Sequence, residues 1–322
     1  MSPAKKILLS GVKPTGRPHI GNYFGAMRQF VELQDKYEAY VCVVDYHALT
    51  TLQDAKELAN FTYEMVLDFL AIGLDPAKVT LFKQSDVPEV TELAWIFNCI
   101  TTVPYLERAH AYKDAVAKGR EVNVGTFDYP LLMAADILIQ DADVVPVGQD
   151  QKQHVEFARD TAEKFNRVFA SVPSPVFKLP EPIILDAVKT IPGIDGEKMS
   201  KSYGNVIPLF ATDAEIRRLT MGIVTDSGVG IPKNVFELHK LFKPEEELNK
   251  LYQSKVGKYQ ELKEMLAKDI TEFIAPLRVR REALSKDRAA VLEILKSGGE
   301  RARARAAEKM KIVREKIGVS IN

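Results

Sequence analysis

Two short stretches of the chain carry residue types suited to phosphate chemistry. The first is Ser10-Gly11-Val12-Lys13-Pro14-Thr15-Gly16-Arg17-Pro18-His19-Ile20-Gly21-Asn22. It follows an apolar run at 7–9 and leads into a helical pattern, so it reads as a glycine-rich turn from strand to helix. Such a turn lets backbone approach a phosphate, and a helix N-terminus favours the negative charge. Gly11 and Gly16 have the spacing of a P-loop, but Arg17-Pro18 stands where that motif needs Lys and Ser/Thr, and the dinucleotide fingerprint is missed as well. What remains is His19-Ile20-Gly21-Asn22 at a helix start, with imidazole and amide donors beside an anion; alone, it is no more than a common cap. The second stretch is Gly196-Glu197-Lys198-Met199-Ser200-Lys201-Ser202, after a Pro-Gly loop. Its two lysines put mobile ammonium groups where a leaving pyrophosphate can be held. As a bare charge run it would be a solvated loop. Its place between two differently composed parts of the chain, about a domain after the first stretch, argues for a shared site.

A third feature is a lone acid, Asp136, inside Leu132-Met133-Ala134-Ala135-Asp136-Ile137-Leu138. A carboxylate among apolar residues is costly unless it has a partner. Met133 by itself could be plain core, and His154, alone in an amphipathic helical pattern, reads as structural. Cys42 and Cys99 sit in apolar runs and read as buried thiols. No Cys-x-x-Cys pair exists, which excludes a zinc or iron–sulfur centre built on thiolates.

The elements that must position these groups alternate. Apolar runs at 7–9, 40–44, 79–82 and 144–147 read as strands. Ile20, Phe24, Met27 and Val31 share one helical face, as do Val155, Ala158, Ala162 and Phe165. Helical patterns also span 58–72, a stretch up to about 100, 106–117 and 131–139. This alternation predicts an α/β domain with a parallel sheet. After Ser202 strand signals fade and Lys- and Glu-rich helical stretches take over, at 245–266 and 270–274. The prediction is a Rossmann-type catalytic domain at 1–204, a smaller helical domain at 205–299, and a last helix at 300–318. The apolar face of that helix (Ala306, Met310, Val313, Ile317) should dock back on the first domain. Arg301-Ala302-Arg303-Ala304-Arg305 reads as a solvated helix face.

Composition bounds the function classes. At 322 residues the chain predicts about two domains. Its 44 basic and 44 acidic side chains cancel, so nucleic acid cannot be bound through the overall field, and any RNA contact must come from local patches. There is no run of about 18 apolar residues for a membrane span, and the apolar stretch near the N-terminus is too short for a signal peptide. A cytoplasmic location is expected.

His19-Ile20-Gly21-Asn22 together with Lys198-Met199-Ser200-Lys201-Ser202 resembles the paired signature of class I aminoacyl-tRNA synthetases. Two stretches between them, Gly125-Thr126-Phe127-Asp128-Tyr129-Pro130-Leu131-Leu132-Met133-Ala134-Ala135-Asp136 and Val145-Pro146-Val147-Gly148-Gln149-Asp150-Gln151-Lys152-Gln153-His154, are similar to the bacterial tryptophanyl-tRNA synthetases. The resemblance covers nearly the whole chain and is strongest from Leu9 to Gly204. It implies ATP-dependent activation of tryptophan and its transfer to tRNA(Trp), with His19, Asn22, Lys198 and Lys201 catalytic. It implies ATP contacts from Gly11, Lys13, Pro14, Thr15, Gly21, Gly148, Gln149, Asp150, Ile191, Met199, Ser200 and Ser202. Gly148 and Asp150, at a strand end, suit the ribose. Asp136 would accept the indole N–H, a donor-only group. Met133, a helical turn earlier, would pack on the ring. Tyr129 and Gln151 would hold the amino group, with His47 and Leu9 beside the same pocket. The resemblance further implies a homodimer, with 103–117 as the candidate interface, and a helical domain that reads the anticodon, with Arg217, Arg218, Arg278, Arg280 and Arg281 as candidates. Mg2+ is expected on the phosphates, and the iron–sulfur cluster that some members of the family carry is ruled out by the missing cysteines. Many bacterial members have Gln where Lys13 stands. Tyrosyl-tRNA synthetases share both signatures, and a small-molecule nucleotidyltransferase or a synthetase-like regulator are the more distant alternatives.

Overall fold

The computed structural model describes residues 5–119, 121–148, 152–170, 174–184, 191–225 and 230–320. Its centre is a sheet of β1 (Ile7–Val12), β2 (Glu38–Val43), β3 (Val79–Lys83), β4 (Val144–Val147) and β5 (Glu181–Ile184) in the order β3-β2-β1-β4-β5. Every pairing is parallel. Leu8 of β1 faces Ala39 on one side and Val144 on the other, so the chain order reverses at β1. Open α/β sheets bind ligands beyond the strand carboxyl ends at that reversal, which is where the turn after Val12 and Gly148 after β4 lie. β5 was not predicted: Glu181-Pro182-Ile183-Ile184 is a half-exposed edge strand containing a proline, with little apolar signal.

Successive side chains of a strand point to opposite faces. Leu8 and Val41 belong to one core, which includes Phe69 of the helix Ala55–Ala71 and continues without a break to Leu262, Ile270 and Ile274 in the helical part. Leu9, Tyr40 and Phe82 belong to the other, beneath Phe97, Leu131 and Phe165, and this core also takes in Ala302, Ala306, Met310 and Val313.

Several local expectations are corrected. The first helical pattern carries a π-helical turn, Tyr23–Met27, between Ile20–Asn22 and Arg28–Leu33. The stretch 106–117 breaks between Val103–Leu106 and His110–Ala117, and 245–266 breaks between Glu245–Ser254 and Tyr259–Ser285. Cys42 is buried but Cys99 is exposed. Phe97 fills the core from the helix Glu89–Ile100, and Cys99, two residues on, points about 200° around the axis.

The final helix is longer than predicted, Arg288–Lys316, and crosses the edge strand β3. Contact is so close that a Cβ on Gly298 would lie 1.8 Å from the carbonyl oxygen of Leu81. Arg301 and Arg303 are exposed, as a solvated face would be, and Arg305 is half-buried, but all three are paired. Arg301 donates to the Val79 carbonyl and Thr80 Oγ1, Arg303 to Glu89, and Arg305 to Glu38 and the Tyr40 hydroxyl. The open carbonyls of an edge strand and the acids beside it provide these acceptors.

Arg281 joins the helical part to the sheet domain. Its Nε lies 2.5 Å from Oδ1 of Asp68, which is 2% exposed, and its Nη2 bonds Glu64. Burial pushes Asp68 up to about 6, against the pull of the Arg281 charge. Folding thus raises this acid above its ordinary 3.8, so the proton favours the folded state and that contribution is lost as pH rises towards 6. Arg281→Met leaves the carboxylate buried without a counter-charge and is expected to cost about 3–5 kcal/mol. Thermal unfolding at pH 8 and pH 5 checks this: the loss should shrink at pH 5, where Asp68 can be neutral.

Candidate active site

The signature turn is built around a reciprocal cap. Nδ1 of His19 accepts the backbone N–H of Asn22 at 3.3 Å, and Oδ1 of Asn22 accepts the N–H of His19 at 3.1 Å. Both side chains are thereby oriented, and among the described residues each keeps its donor free. With Nδ1 accepting, the ring proton must sit on Nε2. Burial, and then the charge of Lys201, lower the His19 pKa to about 4, so the ring is neutral at pH 7. The free groups are an imidazole Nε2–H and the amide NH2 of Asn22. Gly21 is required at this spot, because a Cβ there would lie 2.8 Å from Nδ1 of His19 and 3.3 Å from Sδ of Met199.

The lysine loop returns to the same place. Met199 is buried, and its N–H bonds the carbonyl of buried Ile191 at 2.9 Å. Ser200 and Ser202 join through their hydroxyls at 2.8 Å. Nζ of Lys201 lies 2.9 Å from the carbonyls of both Thr15 and Gly16. Lys201 keeps an exposed surface, yet what burial its side chain has against the turn lowers its pKa. Lys198 is exposed at the loop's outer side. A cavity of about 250 Å3 is lined by Lys13, Thr15, Asn22 and Lys201, together with Val12, Pro18, Ala26, Met27 and Met65. Among the described residues two ammonium groups line it and no carboxylate does. Among the described residues Lys13 Nζ reaches only Thr50 Oγ1, at 3.3 Å, and burial lowers its pKa too. Pro14 is buried and Gly11 ends on the exposed side of β1, both in the wall of this turn.

The acid predicted to be costly has partners. Asp136, in the helix Val124–Ile139, is 7% exposed. Its Oδ2 lies 3.1 Å from Nε2 of His47, and both oxygens accept from Nε2 of Gln84, at 2.9 and 2.8 Å. A carboxylate only accepts, so the proton of His47 is on Nε2. The ring of Tyr129 stands edge-on to His47, centroids 6.0 Å apart, and its hydroxyl is 2.7 Å from Nε2 of His154. Burial holds the Tyr129 phenol up at about 12. A cavity of about 290 Å3 lined by Tyr46, Thr50, Asp128 and Tyr129 opens beside it. Leu9 is buried in β1, and Met133 packs, half-buried, on the same core.

The structure therefore brings together His19, Asn22, Lys13, Thr15, Met199 and Lys201 in one group, and His47, Tyr129 and Asp136 in another. Gly148 is half-buried at the end of β4, whereas Gln149, Asp150 and Gln151 lie outside the described residues. Two further residues organise the site. Gln84 is fully buried at the end of β3; a polar residue at a strand's carboxyl end in this fold was the available signal. Asn205 accepts the Ser200 N–H at 2.8 Å and donates to Asp195 and to the Lys198 carbonyl, so it shapes the lysine loop. Of the five arginines considered for RNA, Arg217 is paired with Glu264, Arg278 with Asp213, Arg280 with the Ala71 carbonyl and Arg281 with Asp68. Among the described residues, Arg218 alone of these is exposed and unpartnered.

Residues 2–289 match the family described as tRNA synthetases class I (W and Y). The tryptophan–tRNA ligase of Fusobacterium nucleatum is 49% identical over 320 residues, 97% of each chain. The crystal structure of tryptophanyl-tRNA synthetase from Campylobacter jejuni complexed with ADP and tryptophan is 41% identical, with a TM-score of 0.89, and the match covers 97% of this chain and 99% of that one. The tyrosyl-tRNA synthetase of Archaeoglobus fulgidus, complexed with tyrosine, shares the fold at 23% identity and a TM-score of 0.64 over 87% of this chain and 91% of that one. On the match along 2–289 and the near-full-length relatives, the chain belongs to the class I tRNA synthetase family that comprises the tryptophan and tyrosine enzymes.

Proposed function

We propose that this chain is a tryptophan–tRNA ligase: it joins L-tryptophan to ATP, giving tryptophanyl-adenylate and pyrophosphate, and passes the aminoacyl group to the terminal ribose 2′-hydroxyl of tRNA(Trp). The observation that carries this reading is the single cavity that Lys13, Asn22 and Lys201 share at the end of β1. The carboxylate of tryptophan attacks the α-phosphorus, the bond to the α–β bridging oxygen breaks, and pyrophosphate leaves. The substrate supplies the nucleophile, so the protein's work is positioning and stabilising charge. His19 and Asn22 donate to the phosphates through their free N–H groups, and Lys198 and Lys201 hold the pyrophosphate. Magnesium enters with the triphosphate as part of the substrate. Asp136 takes the indole N–H, Met133 and Leu9 line the ring, and Tyr129, Gln151 and His47 surround the rest of the amino acid. Gly148 and Asp150 hold the ribose.

The helical part after Ser202 is proposed to read the anticodon, expected to be CCA, and among the described residues Arg218 is the basic group of the five left available to it. A homodimer is proposed through 103–117, where Val103 (59%) and Val116 (55%) are exposed; sedimentation at micromolar concentration distinguishes it from a monomer. The proposed location is the cytoplasm. No helix among the described residues is long and apolar enough to cross a membrane. Exchange of labelled pyrophosphate into ATP, run with each amino acid in turn, tests the activity. Tryptophan alone should support it, and exchange with tyrosine instead would overturn the assignment. Charging by the intact protein should fall when bases of the CCA anticodon are substituted.

A further inference from the structure

Gln84 is the deepest polar side chain near the candidate amino-acid pocket, with no exposed surface. Its Oε1 accepts the backbone N–H of His47 at 3.2 Å. Its Nε2 reaches Oδ1 and Oδ2 of Asp136 at 2.9 and 2.8 Å. These bonds settle the amide orientation, because a flip would set the NH2 group against the His47 N–H and the carbonyl against a carboxylate. The turn that carries Gln84 is fixed as well: Asp45 accepts the Ser85 N–H at 3.0 Å and the Ser85 hydroxyl at 2.5 Å. The ends of β2 and β3 are therefore tied together, and Asp136 is held by both of them.

A carboxylate offers about four acceptor positions. His47 and Gln84 crowd Oδ2, while Oδ1 accepts from Gln84 alone among the described residues. We infer that Gln84 is a positioning residue for amino-acid choice: by pinning Asp136 from behind, it leaves a fixed lone pair on Oδ1 for a ring N–H and makes the pocket selective for a donor-bearing ring. This rests on the reading that Asp136 receives the indole N–H. A buried acceptor built to pair with a substrate N–H rejects an analogue lacking it far more strongly than an apolar pocket rejects a shape change.

The test compares tryptophan with its analogue bearing sulfur in place of the ring N–H, in pyrophosphate exchange, for the native enzyme, Gln84→Met and Asp136→Asn. The native enzyme should favour tryptophan by about 10²-fold or more in kcat/KM. In Gln84→Met that preference should drop at least about tenfold, mostly through the tryptophan KM, with the ATP KM moving less than about twofold. Equal losses for both amino acids, with the preference kept, would mean a merely structural role and overturn the inference. If the native enzyme shows no preference, or Asp136→Asn keeps it, the Asp136 reading fails and takes this one with it. If Asp136→Asn abolishes the preference and Gln84→Met does not, the Gln84 inference alone is wrong. Should thermal unfolding show that Gln84→Met does not fold, Gln84→Leu is read by the same criteria, since it is smaller and equally without a donor to Asp136.

Discussion

Lys201→Ala should slow adenylate formation by about 10²–10³-fold, the usual consequence of losing one well-placed electrostatic donor. The ammonium is already at the cavity, 2.9 Å from two carbonyls of the glycine-rich turn, so little movement brings it onto a phosphate. Because its help is needed as charge moves onto the leaving pyrophosphate, kcat should fall while the tryptophan KM stays within about twofold. The pH profile adds a second check. Burial lowers the pKa of Lys201, with Asp68 pulling the other way. The charged form is the useful one, so the native rate should fall as pH rises through a value below that of an ordinary lysine, and Lys201→Ala should lose that limb. A raised tryptophan KM with kcat unchanged would remove Lys201 from its assigned role.

Asp136→Ala should have an effect of comparable size on the other substrate. The carboxylate satisfies the donors of His47 and Gln84 inside a pocket with little access to water. Its loss strands both, along with the incoming indole N–H, and each unpaired buried donor costs about 1–3 kcal/mol. The expected result is a fall in kcat/KM for tryptophan of at least about 10²-fold, with ATP affinity nearly unchanged. Normal tryptophan kinetics in this variant would refute the pocket assignment.

How much of this was legible in the sequence follows from what each feature depends on. Period and composition marked β1 to β4 because a parallel strand buried on both faces must be apolar. They missed β5, which is half-exposed and carries a proline, whereas the other edge, β3, is largely buried. The signature residues were visible because their spacing is local: His19 and Asn22 cap the same helix start, and Lys198 and Lys201 share one loop. Asp136 stood out because a charge in an apolar helix demands a partner. The partner itself, Gln84, did not, since it comes from another strand and only the fold brings it near. The same holds for Arg281 and the arginines of the last helix. Read as a run, Arg301 to Arg305 looks solvated; their acceptors on β2, β3 and the helix Glu89–Ile100 lie more than 200 residues away in sequence.

That distance has a consequence during synthesis. The edge strand β3 is covered by the final helix, whose Gly298 rests on Leu81 and whose Arg301 bonds Val79, 222 residues earlier. At about 5–20 residues per second on a ribosome, β3 waits roughly 10–45 s for its cover. Throughout that interval the nascent chain presents an unpaired strand edge and part of an open core, the features that recruit wrong partners. The edge of β3 can close only once the last residues of the helix Arg288–Lys316 are made.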